Sequence, residues 1–209
     1  MSSAPPSLQM AATRRVDWRR AEFVLTVLAF LGFVTIGIRI RTVYGGLPAH
    51  PLFIHVPVVL IPLSIIGALA CVARPDWFDR YGILLSLVAI VAMSSIFLAM
   101  QAGVALLAAL HLTGFRLRLI LDHQQAAHVL AVVFTLFTAC LILTFSAHRI
   151  SGGWPTGLRI ADGVLGSRAV YLLLRVGLIV LALFSAYMVY KVGDLGARAV
   201  WEGRLHAGG

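Results

Sequence analysis

The sequence predicts an all-α, polytopic membrane helix bundle of about five transmembrane helices, a four-helix core plus an N-terminal extra span, and three observations carry that expectation. Hydrophobic residues make up 60% of the chain and charged residues only 12%, far from the balance of a water-soluble domain. The apolar residues gather into runs of about 20 or more, the length a helix needs to cross a hydrocarbon core of about 30 Å. Short segments rich in Gly, Pro and charge separate the runs.

The runs cover residues 22–40, 51–73, 81–109, 124–147 and 169–190. A polar tail, 1–21, holds Arg14, Arg15, Arg19 and Arg20 directly before the first run. That run is long for a secretory leader and no small-residue cleavage site follows it, so it is expected to be an uncleaved extra span. The other four runs form a four-helix membrane domain over 45–203. The breaks have local causes in "RTVYGGLPAHP", "ARPDWFDR" and "SGGWPTGLRIADG". Pro51 suits the first turn of span two, with His50 near its cap. Asp122 and Ser167 are expected to cap spans four and five. Inside span two, Pro57 and Pro62 each remove the backbone bond to the carbonyl four residues earlier, which predicts a kink.

The formal net charge is +9, from 17 Lys+Arg against 8 Asp+Glu. The arginines fall between the apolar runs, where anionic headgroups attract each by about 1 kcal/mol. No groove-reading motif accompanies them, so the bilayer rather than nucleic acid is the expected partner. Nine basic residues lie on the N-terminal side (Arg14, Arg15, Arg19, Arg20, Arg74, Arg80, Arg149, Arg159, Arg168). Seven lie on the other (Arg39, Arg41, Arg116, Arg118, Lys191, Arg198, Arg204), which favours a cytoplasmic N-terminus. Cys71 and Cys140 sit in apolar runs without paired spacing and read as small hydrophobes. Gln101 and Gly103 read as helix-packing residues, and Trp77, Trp154 and Trp201 as interfacial anchors. No nucleophile with a base, phosphate-cradling loop or HExxH motif is present. An electron-transfer component is expected rather than a catalyst.

That expectation comes from the histidines. Alternation of five spans puts the start of span two, the end of span three, the start of span four and the end of span five on one face. His50, His55, His111, His123, His128 and His206 fall there, and His148 falls opposite. Spans two and four both open with His-x4-His, as "HPLFIH" and "HQQAAH". At about 100° per residue the members of a pair point about 140° apart, so each helix offers one inward ring per site. His55 and His128 lie about 7.5 Å deeper than His50 and His123. Two neutral imidazoles from facing helices are what a six-coordinate haem iron needs. Ala126, Ala127 and Ala131 on span four, and Gly67 and Ala68 on span two, are expected to leave space for the macrocycle. Arg41, Arg116 and Arg118 stand at the same face, where haem propionates would emerge.

The resulting expectation is haem b between spans two and four, with His55 and His128 as the axial pair. His50 and His123 would hold a second haem nearer the surface or orient the ligating groups. Two alternatives stay open. One is a copper or zinc site at His50, His111 and His123. The other is a cofactor-free structural or assembly subunit whose histidines bond loop carbonyls.

The stretch "GLPAHPLFIHVPVVLIPLSIIGALA" and the terminal "YKVGDLGARAVWEG" resemble a bacterial family, the domain of unknown function 2231 transmembrane family. Its mark is His-Pro, then His-x-Pro, at the mouth of its first span. The resemblance covers about residues 45 to 203, and the matching residues are His50, His55, His128 and the Gly193 to Gly196 turn. It implies a compact four-helix unit, found elsewhere joined to Rieske iron–sulfur or cytochrome c modules. By that analogy the setting is respiratory electron transfer in a bacterial inner membrane, with a separate membrane or periplasmic redox partner. Two departures stand out. The family often ends in Tyr-x-His-Gly, whereas this chain has "VWEGRLH", leaving His206 as the tail's histidine. The first span and its arginine-rich tail are additions.

Overall fold

The computed structural model describes residues 28, 43–44, 47–110, 114–154 and 159–202. Among them, four helical spans are long and apolar enough to cross a bilayer, as the hydropathy pattern predicts. A two-residue antiparallel ladder, β1 (Val43–Tyr44) with β2 (Leu47–Pro48), leads into α1 (Ala49–Phe53). Pro57 explains why α1 stops there, because it has no N–H to give to Phe53. The helix resumes as α2 (His55–Ala73), with Val58 N–H bonding Ile54 O at 3.2 Å. Pro62 is accommodated inside α2.

The remaining helices are α3 (Asp76–Ala109), α4 (Gly114–Ser151), a short α5 (Arg159–Leu165) and α6 (Arg168–Trp201). At about 1.5 Å per residue, the three long ones run about 50 to 57 Å, several turns more than a 30 Å hydrocarbon core requires. They are longer than the apolar runs because a helix already nucleated continues through charged residues, each satisfying one more backbone bond. Two expected features change as a result. Asp122 lies within α4 and does not cap it. The expected Gly193 to Gly196 turn is continuous helix in α6. Ser167 occupies the N-cap of α6 by backbone conformation, without a side-chain bond. Gly114 (φ +66°) and Gly153 (φ +87°) take the left-handed backbone at the start of α4 and in the turn after it, where a side chain would be strained.

The long helices pack as a ring in the order α2, α3, α4, α6 and back to α2. Neighbours are antiparallel, so α2 stands diagonally across from α4 and α3 from α6. Phe78, Phe134, Phe137, Leu141, Ile61 and Leu178 fill the centre, with Phe134 stacked on Phe137 at 5.1 Å. Close approach is bought by glycine at two places. A Cβ on Gly67 would stand 2.6 Å from Leu85 Cδ1, so the space expected there for a macrocycle is filled by α3. A Cβ on Gly82 would run into the Phe145 ring. Four interior hydroxyls are satisfied within their own helices: Ser64, Ser86, Thr138 and Thr144 donate to Leu60, Gly82, Phe134 and Cys140 carbonyls at 2.7 to 2.9 Å. That local bonding suits a segment with no water to serve it. The outer faces present Val59, Leu63 and Ile66 of α2, and Leu173, Val176 and Val180 of α6.

The Gly82 contact has a measurable consequence. Gly82→Val overpacks the α3–α4 seam and is expected to cost about 2 kcal/mol, with much of the loss returned by adding Phe145→Ala. Denaturant unfolding in detergent reads both, and equal stability of Gly82→Val and the parent would contradict the packing described. The polar tail 1–21 lies outside the described residues, as does the extra span 22–40 apart from Leu28, which is helical and packs against the core.

Candidate functional site

Because α1/α2 and α4 both start at one end of the bundle, their His-x4-His pairs meet the bundle axis at the same level. With about 140° between the members, only one ring of each pair turns inward. His50 and His123 are half-buried, and His55 and His128 are exposed. The expected pairing of His55 with His128 is therefore not the one the structure brings together. The shallower members meet instead, across the bundle diagonal, with ring centroids 6.2 Å apart and planes at 86°. His128 turns to its own helix and donates Nδ1–H to Gln124 O at 2.8 Å.

Each inward ring is held by the helix that follows it in its own hairpin. His50 Nδ1 lies 2.9 Å from Ala99 O of α3, and His123 Nδ1 lies 3.0 Å from Val192 O of α6. A carbonyl oxygen only accepts, so both bonds require the proton on Nδ1, and in the neutral imidazole this leaves the lone pair on Nε2. This is the arrangement by which a metal-ligating histidine is oriented. The separation also suits a shared ion. An imidazole nitrogen sits about 2 Å from a bound metal with its ring centre about 1 Å behind, so two rings on opposite sides of one ion have centres about 6 Å apart.

The surroundings are small. Ala49, Ala99, Ala102 and Ala126 are buried beside the pair, and Gly103 and Gly196 lie against the rings of His50 and His123. Ala68 and Ala131 are buried lower in the bundle, and Ala127 is half-buried. Arg116 and Arg118 are exposed in the first turns of α4. Arg116 precedes His123 by seven residues, which places it on the same side of the helix about 10 Å nearer the end; Arg118 is rotated away. Arg41, His111 and His206 lie outside the described residues. Among the described residues, no group of three or more His, Cys, Asp or Glu is placed to hold a metal ion.

The opposite end of the bundle holds a second polar cluster that the apolar-run reading missed. His148 Nε2 is 3.2 Å from Asp79 Oδ2, and Arg149 Nη1 donates to Asp79 Oδ1 at 3.4 Å. Arg149, counted from the sequence as a connection charge, is only 6% exposed and lies 4.8 Å over the Trp154 ring. Arg175 reaches from α6 to Val72 O at 2.6 Å, closing the last turn of α2. The signal in the sequence was the adjacent His148-Arg149 at the end of an apolar run, opposite the acidic start of span three.

A family model described as a predicted membrane protein (DUF2231) matches residues 46–209. No curated protein and no solved structure matches the chain significantly.

Proposed function

Since the chain belongs to the DUF2231 family of predicted membrane proteins, we propose that it is a b-type haem protein, held by His50 and His123, that passes single electrons at one face of a bacterial inner membrane. The observation that supports this reading is the pair of Nδ1-anchored imidazoles whose ring centroids lie 6.2 Å apart across the bundle. Two protein nitrogens suffice for a haem, whose macrocycle supplies the other four ligands, whereas a zinc ion takes three or four protein donors. When bound, haem supplies reversible one-electron chemistry at its iron.

This chain's own part is to present two Nε2 lone pairs, to fix their rings through the Ala99 and Val192 carbonyls, and to hold the pair in a low-dielectric bundle. Arg116 is the residue suited to a propionate. With the N-terminus in the cytoplasm the histidine face is periplasmic, so the electron partner is a separate membrane or periplasmic redox protein. The reading is tested by a dithionite-reduced minus oxidised spectrum of protein purified from haem-replete cells, with copper and zinc assayed on the same sample. Sharp reduced bands are expected. A colourless protein overturns the reading, in favour of the metal site if stoichiometric copper or zinc is found and of the structural subunit if neither is.

A further inference from the structure

We propose that Gly103 and Gly196 are paired positioning residues, each seating one histidine of the site so that the two rings meet at right angles on a pseudo-two-fold axis along the membrane normal. One register occurs twice in the chain. His50 bonds the carbonyl of Ala99 and lies against Gly103; His123 bonds the carbonyl of Val192 and lies against Gly196. In both halves the accepting carbonyl is at position i of the return helix and the glycine is at i+4. A helical carbonyl points along the axis toward the N–H of residue i+4, so the side chain at i+4 is what would cover it. Glycine at that position opens the carbonyl to a second donor, which its other lone pair can accept.

The fit leaves no room for a methyl group at rest. A Cβ on Gly103 would stand 3.1 Å from His50 Nδ1 and 3.2 Å from Cε1; one on Gly196 would stand 3.1 Å from His123 Cε1 and 3.3 Å from Nδ1. Each ring would then give way by a few tenths of an ångström. Gly193, on the same face of α6, has nothing within 4 Å of such a Cβ. The duplication extends outward, since each half carries a second histidine five residues on that is turned away, His55 and His128. The two hairpins, α1/α2 with α3 and α4 with α6, run in the same sense, which makes this a parallel repeat about the membrane normal. Neither half holds a complete site; the site forms where the halves meet.

The inference rests on the haem reading only in its second arm. The first arm uses haem-free protein labelled with ¹⁵N-histidine. In the parent, hydrogen-bonded Nδ1–H signals are expected for both His50 and His123. Gly103→Ala should move or lose the His50 signal alone, Gly196→Ala the His123 signal alone, and Gly193→Ala neither. The second arm is the electron paramagnetic resonance spectrum of haem-loaded protein. The parent should give the strongly anisotropic low-spin ferric signal of crossed imidazole planes, and each glycine variant a shift toward the rhombic form. Unshifted signals in both variants, or an equal shift in Gly193→Ala, overturn the proposal. If a variant does not fold, the parent still decides, since a missing Nδ1–H bond at either histidine is incompatible with the seats. A protein that takes no haem but passes the first arm sinks the haem reading and leaves the glycine seats standing.

Discussion

On the proposed haem reading, His50→Ala and His123→Ala are each expected to lower haem occupancy by more than about 10-fold, since losing a ligand costs at least as much as losing a group that only orients one. His55→Ala and His128→Ala are expected to leave haem content unchanged. The contrast follows from phase: the shallow histidines are half-buried and 6.2 Å apart, while the deep ones occupy the exposed sides of their helices. Absorbance at the Soret band per mole of protein reads all four variants in one series. Retention of haem in His50→Ala together with loss in His128→Ala would reverse the assignment of the ligands. Equal retention in all four would remove histidine ligation altogether.

Asp79→Asn weakens the fold without touching the histidine end. Asp79 is itself 57% exposed, but its carboxylate faces Arg149, whose side chain is 7% exposed, so the cost is that of reducing the counter-charge on a buried guanidinium. Breaking a fully buried pair costs about 3 to 5 kcal/mol, and the exposure of Asp79 brings the expectation to about 2 kcal/mol. Adding Arg149→Met should recover much of that loss, because a hydrophobic isostere removes the buried charge along with its partner. Denaturant unfolding in detergent measures both. Haem content should stay at the parent level, since Asp79 and Ala99 are about 30 Å apart along α3. Parent stability in Asp79→Asn would show that the clasp between α3 and α4 contributes nothing.

The sequence was most informative where the bilayer constrains it. Runs of apolar residues delimit the four described spans, and Pro57 and the glycine-rich breaks mark where helices stop. Helix ends were less legible. Asp79, Arg116 and Asp194 look like loop charges in a hydropathy reading, yet each lies on a helix that continues past the apolar core. The 140° phase between paired histidines is a property of any helix and was readable. Which member turns inward was not, because that depends on how each helix is rotated in the bundle. Rotation is set by partners far away in sequence: Gly103 against His50, Gly196 against His123, Leu85 against Gly67. The Asp79–Arg149 contact likewise joins residues 70 apart, and becomes visible only once α3 and α4 are known to be neighbours.

The most direct measurement is the haem content of the purified chain, determined as the pyridine haemochrome against protein concentration. About one b-type haem per chain is expected, as two inward imidazoles provide for a single iron. No haem in protein from haem-replete cells, or two per chain with His55 and His128 carrying the second, would contradict it.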